Sequence, residues 1–440
     1  MADCKTSEYQ RLFDRFGPLL SISSSSLIQL AAKARYKISG RRPSPKDRHL
    51  YRRNGGYNLI HVIELEDGIK YVIRVPAVGW GARWTENASN AFRSQVLTMR
   101  AIKDKTSMPI PEVYDFDTTQ SNLIGAPYMV MSFIPGGTVL SKWFEKDGST
   151  TLEERRRNIL ASVAKAMSQL QTFTFEKTGS LRFGDDLDNE KIEIGRCYDW
   201  DEGSFGVGKM GKKLNVQDFG PFESSKKYLQ YQLEHLSNGE DCSALGLGAK
   251  KITSMMISLL PLLKHRDGDE TSVISLPDFD SQNIMVDDEG DVTGILDWDL
   301  VQTVPRFLGY CRYPEWITRD WDPIRYEYLQ HNNCERENCP EELKNYRKWY
   351  EIEMKKCLRG GDARFTTKSH IYEAVAIAAT SDDSRLEVVR NILERIFKAV
   401  GGFDSFKFIE EVGTGKLEKK EECRLNAGLK ALLATQSRGI

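Results

Sequence analysis

The chain has 440 residues, with 62 Lys and Arg against 63 Asp and Glu and a formal net charge of −1. So even a balance argues against a nucleic-acid partner, and no apolar run is long enough to span a membrane. The length exceeds one compact core and suits two lobes, and 40% apolar with 28% charged residues is ordinary for a globular protein.

Eight cysteines are scattered through the chain. Cys334 and Cys339, close to His331, have no second pair at metal-site spacing, so free thiols are expected. The opening MADCKTSEYQ carries Asp3 and Glu8 where a secretion signal needs basic and then apolar residues, and SISSSSLIQLAA is too rich in Ser. A cytoplasmic location is the expectation.

Residues 1–54 read as an N-terminal extension, with one amphipathic stretch through LIQLAAKARY and then a basic, solvated linker, GRRPSPKDRHLYRR. Residues 55–135 read as a small mixed lobe. NLIHVIELEDGIKYVIRVP is two β-rich runs around Asp67-Gly68, which predicts a hairpin. TENASNAFRSQVLTMRAIK predicts a helix capped by Thr85, with Ala88, Ala91, Phe92, Met99 and Ile102 on its apolar face. YDFDT and PYMVMSFI predict two further strands, and Pro-Gly-Gly at 135–137 marks a hinge.

Residues 136–440 read as a mainly helical lobe. TTLEERRRNILASVAKAMSQLQTF begins with the capping-box pair Thr150 and Glu153, and SRLEVVRNILERIF with Ser384 and Glu387. Residues 185–220 lack periodicity and read as an insertion or irregular loop. Within it GSFGVGKM at 203–210 nearly matches a phosphate loop, but Met210 replaces the metal-binding hydroxyl and no apolar strand precedes it. The six histidines show no metal or triad spacing. Trp298 and Trp316 are expected to pack in the core.

The chemistry concentrates in residues 273–300, VISLPDFDSQNIMVDDEGDVTGILDWDL. Two apolar β-runs flank a tight Asp-Glu-Gly turn, so Asn283 at the entrance and Asp297 at the exit lie at the same end of a hairpin. Asp278 sits five residues before Asn283. A carboxylate with an amide oxygen suits Mg2+, and the remaining carboxylate is free to orient a hydroxyl or take its proton. Asp280 is a second carboxylate that local capping or loop exposure would occupy.

This segment resembles the catalytic and metal stretch of aminoglycoside phosphotransferases and choline-kinase-like enzymes, notably their divergent fungal members. NGGYN with YVIRVP, PYMVMSFIPGG, FEKTGSLRF and YPEWITRDWDP extend the resemblance over roughly residues 50–330. It implies an α+β, protein-kinase-like two-lobed fold, with a small mixed β-sheet N-lobe and a larger, mainly helical C-lobe. It implies ATP or GTP bound between the lobes with Mg2+, and a small-molecule hydroxyl as phosphoryl acceptor. By position, Asp278 would be the base and Asn283 and Asp297 the magnesium ligands. Gly55, Gly56, Tyr57 and Asn58 would cover the phosphates, Arg74 would contact them, and Met131, Ser132 and Phe133 would border the adenine through backbone hydrogen bonds.

Three positions depart from the family pattern. Arg74 stands where many relatives of this fold use Lys, and its planar fork asks for different geometry. Gln95 stands where a Glu usually pairs with that cation; either it hydrogen-bonds Arg74 or it is satisfied by backbone. Leu276 replaces an architectural His two residues before Asp278. These departures support a rival reading, a catalytically impaired nucleotide-binding pseudokinase that serves as a regulatory or binding module. The absence of an Ala-Pro-Glu element argues against a protein substrate.

Overall fold

The computed structural model describes residues 2–148, 150–184, 192–201, 214–235, 242–260, 270–322, 324–328, 336–359, 361–398 and 402–434. The fold is α+β and two-lobed, with two compact units. The first comprises residues 1–136, 180–219 and 293–302, and the second 137–179, 220–292 and 303–440, so the division falls inside the Pro-Gly-Gly segment.

The first unit is built on a five-stranded antiparallel sheet of β1 (Arg48–Asn54), β2 (Asn58–Glu64), β3 (Lys70–Pro76), β4 (Val113–Asp117) and β5 (Tyr128–Ser132), in the order β1-β2-β3-β5-β4. The β2–β3 hairpin turns at Gly68, whose φ of 79° lies in the left-handed region that glycine adopts without steric cost. Strand alternation sends Leu59 and Ile63 of β2 and Tyr71, Ile73 and Val75 of β3 into one core with Leu27, Leu30, Ala31 and Ala34. Those four belong to α2 (Ser24–Ser39), capped by Ser23 and stopped by Gly40 in the left-handed conformation. Arg74, of the opposite parity, leaves the other face of β3.

Residues 1–54 therefore do not stand apart from the lobe. α1 (Ala2–Phe16) and α2 belong to the first unit, and β1 pairs with β2 from Arg48↔Glu64 to Asn54↔Leu59. The basic stretch expected as a solvated linker is half strand. Its charges are paired, Arg41 with Asp47 at 2.6 Å and Arg48 with Glu64 at 2.5 Å. β-Propensity was masked there by the density of charge, which an exposed strand tolerates.

α3 (Glu86–Lys105) begins at Thr85, whose hydroxyl accepts the Ala88 N–H, and buries Ala88, Ala91, Phe92, Gln95, Met99 and Ile102. The 185–220 region expected to be irregular contributes a two-stranded ribbon, Cys197–Asp201 with Asn215–Phe219. Val216 of that ribbon and Leu214 just before it join the core of the first unit. The near-match to a phosphate loop at 203–210 lies outside the described residues.

The second unit is mainly helical. The helix Leu152–Ser168 packs on Pro340–Cys357. Its capping box is Thr151 with Glu154, one residue later than the sequence suggests, because Thr-Thr and Glu-Glu offer two registers that a local pattern does not separate. The helix expected to start at Ser384 starts instead after Ser381, which places Asp382 and Asp383 in the first turn, where the helix dipole favours negative charge. Helices Ala244–Leu259 and Ser405–Thr414 cross at two glycines. A Cβ on Gly248 would lie 1.9 Å from the Ile409 carbonyl oxygen, and one on Gly413 1.8 Å from that of Ala244. Among the described residues Cys197, Cys242, Cys311, Cys339, Cys357 and Cys423 are free thiols, and no helix is long and apolar enough to cross a membrane.

Candidate phosphotransfer site

In the first unit the glycine turn between β1 and β2 is closed by the Gly55 N–H, which donates to the Asn58 carbonyl at 2.9 Å. That donor is committed to the turn, so Gly55 cannot offer it to a phosphate in this conformation. The Gly56 N–H has no partner among the described residues. Tyr57 is fixed on its other side, its carbonyl accepting from Ala77 N–H at 2.7 Å.

Arg74 of β3 is buried and doubly paired. Its Nη2 lies 2.7 Å from Oδ1 of Asp297 and 2.8 Å from Oδ2 of Asp299. Burial alone would lower the Arg74 pKa, but the charges of Asp299 and Asp297 outweigh it and hold the value above normal. Burial also pushes the Asp299 carboxyl above its usual range, with Arg74 opposing and Asp297 adding to the rise. Asn58 turns inward from β2, and its Nδ2 donates to Asp299 at 2.6 Å.

Gln95 is 3% exposed, and its Nε2 has no hydrogen-bond partner. It does not bond Arg74. It lies near Asp299, close enough to favour that carboxylate, and lines a cavity of about 20 Å³ with Asn58, Phe92, Trp200 and Asp299. The space admits about one water molecule.

Asp297 and Leu300 have φ values of 57° and 56°, left-handed backbone that non-glycine residues seldom adopt. Between them Trp298 is fully buried and donates Nε1 to the Ile295 carbonyl at 3.0 Å. The strained turn thus anchors on an indole and delivers the carboxylates on either side of it to one guanidinium. Asp299 was missed by the sequence reading. Its signal was the Asp-Trp-Asp pattern, in which two carboxylates flank one buried aromatic.

At the end of β5, Met131 is buried within the sheet. The Ser132 N–H donates to Glu112 and the Phe133 N–H to Lys70. These two backbone donors are used inside the unit. The sheet continues far enough to satisfy them.

In the second unit the chain leaves the buried strand Ser272–Ser275 and turns through Asp278 into a short 3-10 turn, Ser281–Asn283. Asp280 caps that turn, its Oδ1 accepting the Ser281 N–H at 2.7 Å, while its Oδ2 pairs with Arg319 at 2.5 Å. Asp280 is thus occupied by capping, as one alternative held, but it is buried rather than exposed. Asn283 Nδ2 donates to Asp278 Oδ2 at 2.8 Å and to the Asp278 carbonyl at 3.1 Å, and Gln282 Nε2 donates to the same Oδ2 at 3.0 Å. Asp278 therefore has one carboxylate oxygen held by two amides and the other without a donor among the described residues. The turn Asp287–Asp291 follows, closed by the Asp287 N–H on the Asp291 carbonyl.

Leu276, in place of the architectural His, is fully buried, and its carbonyl accepts from Arg312 Nη2 at 2.9 Å. Arg312 also pairs with Glu373 and lies 3.5 Å from Glu315. The anchoring that a His would give this loop comes here from an arginine 36 residues downstream. Burial pushes the Glu315 carboxyl up to about 7, with Arg312 opposing and Glu373, Asp280 and Asp278 adding to the rise. Trp316 packs edge-on to Trp143 and Phe279, a core role.

A five-stranded sheet with a buried cation on β3, and a helical unit whose loop presents a braced Asp–Asn pair, agree with the phosphotransferase resemblance. The chain belongs to the phosphotransferase enzyme family, whose model matches residues 55–343. It is 29% identical over 135 residues to a subtelomeric hrmA-associated cluster protein of Aspergillus fumigatus, covering 30% of this chain and 24% of that one. It is 26% identical over 135 residues to the altered inheritance of mitochondria protein 9 of Debaryomyces hansenii, covering 30% of this chain and 21% of that one. The protein of the same name from Yarrowia lipolytica is 22% identical over 299 residues, covering 59% and 50%. The chain thus spans about a quarter of the length of the first two curated relatives and half of the third. A solved aminoglycoside phosphotransferase in ternary complex with AMP-PNP and hygromycin B has 13% identity and a TM-score of 0.42, over 88% of this chain and 96% of that one.

The cytoplasmic expectation is overturned by these relatives. The proteins from Debaryomyces hansenii and Yarrowia lipolytica are named as mitochondrial, which contradicts it.

Proposed function

We propose that the chain transfers the γ-phosphoryl group of ATP or GTP to a hydroxyl of a small molecule, with Asp278 as the base. The observation that carries this reading is the bracing of Asp278. Two amide donors converge on its Oδ2 and fix the carboxylate plane, so Oδ1 remains to orient the acceptor hydroxyl and receive its proton. Arg74 and the Gly56 N–H supply positive charge and a backbone donor for the phosphates.

Asn283 and Asp297, each within its own unit, are the residues that would hold a magnesium ion. With Nδ2 of Asn283 committed to Asp278, its Oδ1 is the ligand atom left, and Asp297 keeps an oxygen beyond the one paired with Arg74. Both are hard oxygen donors of the kind Mg2+ prefers. When bound there, the ion would neutralise phosphate charge as it develops. The adenine side is best served by the Ile134 N–H, since Ser132 and Phe133 are used.

The test is phosphate transfer from ATP and GTP across a broad panel of hydroxylated small molecules, followed by Asp278→Asn. The substitution should lower turnover by roughly 10²- to 10⁴-fold and leave nucleotide binding in place. Activity that survives the substitution would remove the base assignment.

The second reading, a nucleotide-binding module without turnover, is favoured by the Arg74–Asp297 contact, which puts the phosphate cation on a proposed metal ligand. Nucleotide binding in the wild type with no transfer to any acceptor would favour it.

A further inference from the structure

The glycine turn is held from outside the sheet. Arg15, in the last turn of α1, donates its Nε to the Gly56 carbonyl at 2.5 Å. The same guanidinium lies over the Tyr57 ring, 4.9 Å from its centroid. Tyr57 also stacks on Trp200 of the 197–219 ribbon, with centroids 4.5 Å apart and planes 14° from parallel. Tyr57 is therefore contacted by both a cation from α1 and an indole from the ribbon.

The cation is itself fixed. Arg83 Nη1 donates to the Asp14 carbonyl at 2.9 Å and to that of Arg15 at 3.2 Å. Arg52 Nη1 of β1 donates to the Leu20 carbonyl at 2.9 Å just beyond the helix. Gly17, at φ 49°, lies against Trp80 so closely that a Cβ would come within 2.6 Å of the indole. The end of α1 cannot drift while these contacts hold.

A peptide unit is planar and trans, so fixing the Gly56 carbonyl also fixes the direction of the Tyr57 N–H, which points the opposite way. Gly56 has no side chain to choose between the two orientations of that unit, and glycine samples both at little cost. We propose that Arg15 is a positioning residue for nucleotide, setting, through the Gly56–Tyr57 peptide, the adjoining Gly56 N–H in the orientation that receives phosphate. This rests on the reading of residues 55–58 as the phosphate-covering turn.

The test uses the full chain and its Arg15→Ala and Arg15→Lys variants. Three quantities are read: the dissociation constant of Mg–ATP by titration, hydrogen exchange of the amides of residues 54–58, and the melting temperature. Arg15→Ala should bind Mg–ATP roughly 5- to 10-fold more weakly and exchange faster at the turn, with its melting temperature unchanged. Arg15→Lys keeps the charge but not the flat stack with an Nε donor, so it should fall between the two. Equal affinity and exchange in wild type and Arg15→Ala would overturn the proposal. A fall in affinity that tracks a fall in melting temperature would overturn it as well, since the role would then be merely structural. If the wild type binds no nucleotide while the turn still exchanges faster in Arg15→Ala, the phosphate-covering reading itself is wrong and the proposal goes with it.

Discussion

One nitrogen carries both of the ion pairs of Arg74. Nη2 meets Asp297 and Asp299, while the buried Nε has no partner. The planar fork is therefore not what the site uses, and a lysine ammonium answers much of the same need over a slightly shorter reach. Arg74→Lys should cost about 1 kcal/mol or less, whereas Arg74→Met should cost about 3–5 kcal/mol by stranding buried Asp299. Urea denaturation of both variants at one pH checks the contrast. Glu315 offers a pH-dependent counterpart. Its carboxyl titrates near 7 in the folded chain against about 4.5 when unfolded, so between those values the folded state binds more protons. The stability it contributes is complete below pH 4.5 and is lost as pH rises towards 7 and above. Glu315→Gln should flatten the decline of stability over that window by up to ~3 kcal/mol, read from denaturant midpoints at several pH values. The types of Asp278, Asn283 and Arg74 were legible in the sequence because each borders an apolar run at a recognisable spacing. The partners of Arg74 were not, since Arg74 and Asp297 meet across 223 residues and no local pattern encodes that register.

At the level of elements, α3, the β2–β3 hairpin and the strands at 113–117 and 128–132 were readable because their apolar periodicity is strong and their caps unambiguous. The sequence reading failed where two registers satisfy one local rule, as at Thr150-Thr151, and where charge conceals a strand, as in β1. The crossing of Ala244–Leu259 with Ser405–Thr414 was equally invisible, since a glycine within a helix reads as a weakness until the neighbour is seen. Because backbone oxygens occupy the space of both missing Cβ atoms, Gly248→Ala and Gly413→Ala should each destabilise by about 1–3 kcal/mol or more. Thermal melts followed by circular dichroism measure it. Leu247, 43% exposed beside Gly248, is the control, and its change to Ala should be nearly silent.

For the molecule as a whole, the family match begins at residue 55 but the hydrophobic core does not. Leu27, Leu30, Ala31 and Ala34 pack in the same cluster as Leu59, Ile63 and Ile73, and β1 supplies the first strand of the sheet. A chain lacking residues 1–54 should fail to fold cooperatively, seen as loss of a sharp melt and appearance in the insoluble fraction. Its sheet would have both an open edge and an uncovered apolar face.

The paired glycines carry one more implication. Where two helices touch backbone to backbone, there is no side chain whose trimming can compensate for a bulkier neighbour. Drift at either position would demand a coordinated retreat of the opposite helix, so random mutagenesis should leave this crossing untouched among survivors while the flanking turns of both helices diversify.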